Sequence, residues 1–236
     1  MGLRGMRLYF HNEGTEALLL AQIRAVLRAS GERPNLKIMF PMVSGIHTMQ
    51  RIQAVVEGAK GELRERGVKF NGKIALGSMV ELPSTVEIIE ELLDDVDFIS
   101  VGTNDLIHYT LGVDRGAASV SRYYDPFHPA VLRLLSRLTK AARKAGKDIS
   151  ICGDMASDPL SVLVMMGMGI RRFSAIPTGI PMVKYLVRSV RLKDSETLAK
   201  RVLRRVGELQ GQDGYEKVVH AEVATIFEPG VMNILG

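Results

Sequence analysis

The stretch Ile74 to Ser84, which reads IALGSMVELPS, decides the fold. Its first seven residues form a short apolar run, and a run of this length that ends in turn-forming residues predicts a buried strand. The polar and proline-containing residues that follow end the strand, and Ser84 is in a position to cap a helix. A strand followed by a turn and a helix is the building unit of a parallel α/β sheet.

The same succession recurs on both sides of this stretch. From Ile46 to Arg66, apolar residues return at every third or fourth position, which predicts a helix with one buried face. Further apolar runs and helical segments alternate along the chain, and this alternation predicts parallel β/α units. The other predicted strands are Leu36–Phe40, Phe98–Val101, Ile149–Cys152 and Arg172–Ile176; the other predicted helices are Glu16–Ala29, Thr85–Leu93, Pro129–Ala145, Pro159–Met168, Ile180–Val190 and Ser195–Glu208.

The predicted domain organisation depends on a run of turn-forming residues near the end of the chain. No repeat or linker precedes Leu209, so the sequence predicts one domain over residues 1–208. The run Gln210 to Gly214 is rich in glycine and polar residues, which predicts a flexible joint. We therefore expect residues 209–236 to form a C-terminal extension with little regular structure.

Composition excludes several classes of protein. The net charge of +5 is spread along the chain, and its densest basic stretch, Lys184 to Arg205, predicts a solvated helix face rather than a nucleic-acid surface. Neither a signal peptide nor an apolar run of about 18 residues is present, so we expect no membrane partner. The single cysteine, Cys152, excludes an internal disulfide framework and favours a reducing compartment, which predicts the cytoplasm.

Candidate metal ligands follow two neighbouring strands. In a parallel sheet, the loops after the strands meet on one face and hold the functional site. Glu81 follows the second predicted strand and Asp105 follows the third. Two carboxylates beside an anionic ligand suit Mg²⁺, which takes its remaining ligands from substrate oxygens and water. Spacing alone leaves an alternative open, in which Glu81 pairs with a buried arginine and Asp105 caps a helix.

Donors for an anion lie in the same loops. Gly102 and Asn104 follow the third strand, and Arg115 can present two parallel N–H groups to a phosphate or carboxylate. Arg4 or Arg7 can supply a second such group. Taken singly, a surface arginine is usually solvated, and an Asn-Asp pair is usually part of a turn.

Cys152 ends the fourth predicted strand and precedes a glycine. Its thiol is a candidate acid or nucleophile at the strand ends, although a lone cysteine is more often a small buried apolar residue. His108 and His128 are expected to be structural or solvated. The sequence contains no Walker A loop, dinucleotide fingerprint, zinc spacing or nucleophile elbow. From the residues alone, the prediction is a β/α enzyme with a metal and anion site.

Taken together, seven segments of the chain resemble enzyme I of the phosphoenolpyruvate-dependent sugar phosphotransferase system. They occur in the family's order and near its spacing, from Gly2 to about Val190. The segments are Gly2–Arg7, Ala21–Ser30, Ile38–Met42, Met79–Pro83, Gly102–Leu106, Tyr109–Gly116 and Cys152–Ala156.

The resemblance implies a phosphoenolpyruvate-binding (β/α)₈ barrel of the TIM type and a transferase that uses phosphoenolpyruvate and Mg²⁺. It implies that the phosphoryl group passes to a histidine of an N-terminal domain and then to a phosphocarrier protein, and that the protein is a homodimer. Arg4 fits the first arginine of the family's Gly-x-Arg-x-x-Arg motif better than Arg7 does. The implied roles are Glu81 and Asp105 as metal ligands, Arg4, Asn104, Asp105 and Arg115 as phosphoenolpyruvate contacts, and Cys152 as the acid that protonates the enolate carbon.

The chain departs from the family in its extent. We expect about five of the eight barrel strands in this chain, because the first three strands and two further substrate arginines would precede Met1. The phosphohistidine domain is also absent from the sequence, so we expect that the chain alone does not complete the phosphotransfer. Three single positions differ as well, namely Asp154 in place of Glu, Ser157 in place of Gly and His108 in place of Gln.

Two alternatives remain beside enzyme I. The first is a fragment of pyruvate phosphate dikinase or phosphoenolpyruvate synthase, which resemble enzyme I over the same barrel. The segments Tyr109–Gly116 and Cys152–Ala156 are closer to enzyme I. The second is a non-catalytic dimerisation or binding module, which the absent arginines favour and the retained site residues oppose.

Overall fold

The computed structural model describes residues 2–114, 116–208 and 214–235. Its strands form one five-stranded sheet in the order β1-β2-β3-β4-β5. β1 runs parallel to β2 with Lys37 opposite Ala75, and β4 runs parallel to β5 with Ile151 opposite Phe173. The predicted α/β class with five parallel strands is therefore confirmed. The strands are β1 Lys37–Phe40, β2 Ala75–Val80, β3 Phe98–Gly102, β4 Asp148–Cys152 and β5 Phe173–Ser174.

Helices separate the strands, as the alternating pattern predicts. The helices of the described residues are α1 Met6–Tyr9, α2 Glu13–Ser30, α3 Ile46–Glu65, α4 Pro83–Glu87, α5 Ile89–Asp94, α6 Thr103–Leu111, α7 Pro129–Lys144, α8 Pro159–Met168, α9 Ile180–Ser189, α10 Leu192–Glu208, α11 Tyr215–Ile226 and α12 Pro229–Leu235. Short 3₁₀ helices occur at Ser121–Tyr123 and Asp154–Ala156.

The chain divides into two compact units, and the first comprises residues 1–100 and 145–148. In this unit α2 packs against α3, and the fully buried side chains of Leu27, Ile52 and Val56 contribute to the core. α2 begins three residues before its predicted start. The reason is a capping box, in which the Asn12 side chain accepts the Thr15 N–H and the Thr15 hydroxyl accepts the Asn12 N–H.

The second unit comprises residues 101–144 and 149–236. Its most closely packed pair is α8 and α10, where a methyl group on Gly167 would collide with the Ser195 carbonyl. α8 is apolar on all sides and is buried, as expected of such a helix. It begins at Pro159, as predicted, and the Asp158 side chain caps it by accepting the Ser161 N–H at 2.8 Å.

Three predictions about short segments after β2 and β3 are wrong. Ser84 does not cap a helix: α4 begins at Pro83 with Leu82 as its N-cap residue, so Ser84 lies inside the first turn. The predicted helix Thr85–Leu93 is broken at Ile88 between α4 and α5. Residues 103–106, expected in a loop, form the first turn of α6.

The expectation of little structure after residue 208 is wrong for the part that the structure describes. α11 buries Val219 and Val223 completely, and α11 packs against α10. The predicted flexible joint falls on residues 209–213, which lie outside the described residues, and the domain boundary at 208 stays a prediction. Over the described residues, no helix combines the length and the apolarity that crossing a membrane requires.

Candidate functional site

Glu81 directly follows β2 in the first unit and is only 5% exposed. One oxygen of its carboxylate, Oε1, accepts the backbone N–H of Met42 at 2.7 Å. Met42 belongs to the loop that follows β1, and the Thr85 hydroxyl holds this loop by donating to the Val43 carbonyl at 2.6 Å. The carboxylate is therefore fixed at the carboxyl ends of β1 and β2, where the sequence predicts a ligand.

The two candidate arginines near the amino terminus occupy different positions. Arg4 is exposed in the segment before α1, and Arg7 lies within α1. The choice of Arg4 as the substrate contact stays a prediction.

In the second unit, Asn104 and Asp105 lie in the first turn of α6, immediately after β3. Gly102 is the N-cap residue of α6, and no side chain caps this helix. The polar side chains of the first turn are therefore those of residues within the helix. The Asn104 Oδ1 accepts the backbone N–H of Asp154 at 3.0 Å. Since a carbonyl oxygen accepts this bond, the Asn104 Nδ2 carries the two donors. These donors form no hydrogen bond with the other described residues, so they are available to an anion.

The end of β4 is joined to the start of α6 by a second hydrogen bond. The Thr103 hydroxyl donates to the Cys152 carbonyl at 2.8 Å. The Cys152 thiol donates to the Val101 carbonyl at 3.4 Å. Gly153 has φ +91°, and a Cβ there would lie 2.6 Å from the Thr103 hydroxyl and 2.8 Å from the Asn104 Oδ1. Only glycine allows the two segments to approach this closely.

The structure thus brings Asn104 and Cys152 together through Thr103, Gly153 and Asp154. The sequence interpretation assigned no role to Thr103 or to the backbone of Asp154. Cys152-Gly153 is the signal that was available, because a glycine after a strand indicates positive φ or a close backbone approach. The sequence cannot show which groups make that approach.

The structure shows the environment of all three positions at which the chain departs from the family. Asp154 donates its backbone N–H to Asn104, which any residue except proline would also do at this position. Ser157 accepts the backbone N–H of Ile176 through its hydroxyl at 3.0 Å, so this departure adds a bond that glycine would lack. His108 lies on α6 and contacts Tyr109 edge to face, with a distance of 4.7 Å between ring centroids.

The structure does not test two of the predictions, which concern Arg115 and the metal site. Arg115 lies outside the described residues. Over the described parts of the chain, no group of three or more His, Cys, Asp or Glu side chains is arranged to hold a metal ion. A pair of carboxylates completed by substrate and water is a different kind of site, and the roles of Glu81 and Asp105 as metal ligands stay predictions.

Comparison with known proteins defines the class. The family model for the PEP-binding domain of PEP-utilising enzymes matches residues 1–192, which include every candidate site residue. The chain therefore belongs to the PEP-binding domain family of PEP-utilising enzymes.

The curated relatives have names that are more specific than the description of the family. The phosphoenolpyruvate-protein phosphotransferase of Haemophilus influenzae is 42% identical over 188 residues, which are 80% of this chain and 32% of that protein. The protein of the same name from Bacillus subtilis is 36% identical over 203 residues, which are 86% of this chain and 35% of that protein. The chain spans about a third of the length of these relatives.

Among solved structures, a citrate lyase from Burkholderia xenovorans matches with a TM-score of 0.53 and 18% identity. The match covers 92% of this chain and 72% of the lyase. At this level of identity the likeness concerns the fold alone.

Proposed function

We propose that this chain provides the phosphoenolpyruvate and Mg²⁺ site of a phosphoenolpyruvate-protein phosphotransferase. The observation that carries the proposal is the orientation of Asn104. Its Oδ1 is bound by the Asp154 N–H, so its Nδ2 donors are available to a substrate anion. The chain's membership of the PEP-binding family and its relatives named phosphoenolpyruvate-protein phosphotransferase support phosphoenolpyruvate as this anion.

The donor set suits magnesium. Glu81 directly follows β2, and Asp105 lies in the first turn of α6, the helix that follows β3 of the same sheet. Carboxylate oxygens are the ligands that this hard cation prefers. The Met42 N–H occupies Glu81 Oε1, which holds the carboxylate in one orientation. When bound, Mg²⁺ would offset negative charge on the transferring phosphoryl group.

The protein groups supply binding and a proton. Asn104 donates to the substrate anion, and we assign Arg4 and Arg115 to its charged oxygens on the basis of the family motif. When the bond between phosphorus and the enol oxygen breaks, the phosphoryl group leaves for a histidine and the electron pair remains on the enolate of pyruvate. The Cys152 thiol then gives its proton to the enolate carbon, which yields pyruvate and a thiolate that solvent reprotonates.

The rest of the reaction requires partners beyond these residues. By analogy with the relatives, we propose that a histidine of another domain accepts the phosphoryl group and passes it to a phosphocarrier protein in sugar transport. We also propose a cytoplasmic homodimer.

Manganese provides a direct test of the carboxylate pair, because Mn²⁺ takes similar oxygen ligands and its binding changes the relaxation of water protons. We expect phosphoenolpyruvate to strengthen Mn²⁺ binding to the unmodified chain. Glu81→Gln and Asp105→Asn should each weaken that binding at least tenfold, whereas the exposed control Glu13→Gln should not. Equal binding by all four proteins would refute the metal assignment.

Cys152 can be tested independently because it is the only cysteine in the chain. Alkylation by iodoacetamide, followed by mass spectrometry, reports on this single thiol. We expect phosphoenolpyruvate with Mg²⁺ to slow alkylation severalfold, because the substrate would cover the sulfur. An unchanged rate at saturating phosphoenolpyruvate would show that Cys152 does not face the substrate.

A further inference from the structure

The first unit contains a cavity with a basic lining and an apolar floor. Its volume is about 440 Å³, within the usual range for a small-molecule site. Met6, Phe10 and Met42 form the apolar part. Arg7, His11, His47 and Arg51 also line the cavity, together with the hydroxyl residues Ser44 and Thr48, and no acidic residue is among the lining.

The basic residues that line the cavity differ in whether they have a partner among the described residues. Arg51 forms an ion pair with Glu16, and its guanidinium lies 4.0 Å from the centroid of the Phe10 ring. The side chains of Arg7, His11 and His47 form no hydrogen bond or ion pair with any other described residue. Three side chains that carry N–H donors thus line one space, and no carboxylate lines it with them. A site with this chemistry suits an anion.

We propose that this cavity binds a small organic phosphate. Arg7 and His47 contact the phosphate oxygens, and the body of the molecule rests on Met6, Phe10 and Met42. The proposal is independent of Arg4, Glu81, Asn104 and Cys152, none of which lines the cavity.

Met42 connects the cavity to Glu81. Its side chain forms part of the cavity wall, and its backbone N–H donates to Glu81 Oε1 at 2.7 Å. Met42 is 4% exposed and has φ 53°, a conformation that costs a residue other than glycine roughly 1 kcal/mol or more. Gly5, with φ +55°, lies so close that a methyl group there would collide with the Met42 side chain. The surroundings therefore hold Met42 in a strained conformation.

A bound phosphate that displaces Met42 would also move the hydrogen bond that orients Glu81. Occupancy of the cavity is therefore expected to change the affinity of the Glu81 site for Mg²⁺ and phosphoenolpyruvate. This regulatory consequence rests on the proposed function, whereas binding in the cavity does not.

Methyl NMR can locate binding without reference to the proposed function. The chain is labelled with methionine carrying ¹³C in its methyl group and titrated with phenyl phosphate in the absence of Mg²⁺ and phosphoenolpyruvate. Met6→Leu and Met42→Leu assign the two cavity resonances. We expect both to shift with a common dissociation constant, while the resonance of Met182, an exposed residue of the second unit, remains unchanged.

Charge variants decide whether the cavity or the general positive charge binds the probe. Arg7→Gln removes a positive charge beside the phosphate and His47→Gln removes the imidazole donor, so each should weaken binding about tenfold. Arg33→Gln removes an equal charge at an exposed position outside the cavity and should leave the dissociation constant unchanged. The proposal is overturned if neither methionine resonance shifts, or if Arg33→Gln weakens binding as much as Arg7→Gln does.

The link through Met42 has its own test. We expect the dissociation constant of phosphoenolpyruvate, measured with Mg²⁺, to change at least threefold when phenyl phosphate saturates the cavity, and Arg7→Gln to abolish this effect. An unchanged constant would refute the coupling but leave the cavity site intact. Failure of phosphoenolpyruvate to bind under any condition would refute the proposed function instead.

Discussion

Asn104 shows how one backbone contact can determine the chemistry of a side chain. An amide side chain can present either its oxygen or its nitrogen to a ligand, and the sequence does not distinguish the two. The Asp154 N–H occupies the oxygen, so the nitrogen is directed elsewhere as a donor. Asn104 can thereby serve as a donor to an anion, which is the role that we propose for it.

Asn104→Asp separates these two functions. The aspartate keeps an oxygen for the Asp154 N–H, so we expect the thermal midpoint to change little. It lacks the Nδ2 donors and adds a negative charge, so we expect phosphoenolpyruvate binding to weaken by at least about tenfold. Calorimetric titration gives the affinity and a melting curve gives the stability. Undiminished binding by a folded Asn104→Asp protein would show that Asn104 does not contact the substrate.

Gly153 holds the strand end that carries Cys152 close to the turn that carries Asn104. We predict that Gly153→Ala destabilises the protein by more than about 2 kcal/mol, because the substitution adds a steric clash to the strain of positive φ. Gly112 has φ +64° with nothing within 4 Å of an added Cβ, so Gly112→Ala reports the strain alone.

Urea denaturation should therefore show a smaller loss for Gly112→Ala, about 1 kcal/mol. If the two variants lose equal stability, the close approach at Gly153 contributes nothing beyond its backbone conformation.

At the level of single residues, the sequence predicts which side chains lie at the strand ends, but their partners depend on the folded backbone. Glu81, Asn104 and Cys152 were identified because each ends a predicted strand or lies within three residues after one. The hydrogen bonds from the Met42 and Asp154 amides could not be predicted. Every residue other than proline has a backbone N–H, so the sequence does not indicate which of them binds a given side chain.

α7 begins in a cluster of titratable groups. The His128 Nδ1 accepts the Ala130 N–H at 3.1 Å and so caps α7, while its ring contacts Tyr215 of α11 edge to face. Nearby, the Asp125 carboxylate accepts the Phe127 N–H at 2.8 Å. Burial raises the pKa of Asp125 above its ordinary value of 3.8, against the opposing effects of the Phe127 hydrogen bond and of His128, and Glu216 raises it further.

This raised pKa predicts a pH-dependent effect of Asp125→Asn. The native state binds the proton of Asp125 more tightly than the unfolded state does, so the stability from this group is present below pH 3.8 and lost as pH rises through the folded pKa. Asparagine keeps an acceptor for Phe127 and avoids the buried charge. We therefore expect Asp125→Asn to be more stable than the unmodified protein at pH 8, with the difference shrinking in acid.

Thermal melts of both proteins between pH 4 and pH 8 measure this difference. A constant difference across the range would show that the charge of Asp125 has no energetic cost in the folded state.

α11 is held to α10 by charge as well as by apolar packing. Glu222 is 9% exposed, and its carboxylate lies 3.6 Å from Arg201 and 3.2 Å from Arg205. Glu222→Gln removes the negative charge and leaves two arginines beside each other. We predict a loss of about 1–3 kcal/mol, between the values for exposed and buried ion pairs.

Hydrogen exchange should show that α11 loses protection in this variant. Glu216 is the matched control on the same helix, because its carboxylate is 69% exposed and its partner is His220 at 3.8 Å. Glu216→Gln should change stability by less than about 0.5 kcal/mol. Equal effects of the two variants would contradict a specific role for the buried carboxylate.

At the level of elements, prediction succeeded where apolar periodicity is strong. The helices predicted at Ile46–Arg66 and Pro159–Met168 match α3 and α8 to within one residue at each end. α11 and α12 were missed because a Gly-rich stretch precedes them and because their burial depends on packing against α10, α9 and α8. Tertiary packing of this kind is not encoded in local periodicity.

In the sheet, the strands lie in the same order as in the sequence. Five strands pair in chain order, which is consistent with the parallel β/α units that the alternating pattern predicts. The citrate lyase shares this fold at 18% identity, which shows that the sheet does not by itself define a substrate. Substrate specificity must therefore come from individual side chains, and we expect the residues at the strand ends to provide it.

Calorimetric titration of phosphoenolpyruvate into the purified chain, with and without Mg²⁺, tests the central claim most directly. We predict saturable binding that requires Mg²⁺ and that Glu81→Gln abolishes while the chain remains folded. Absence of binding to the folded, unmodified chain, or binding that is indifferent to both Mg²⁺ and Glu81, would contradict the assignment of a phosphoenolpyruvate site to these residues.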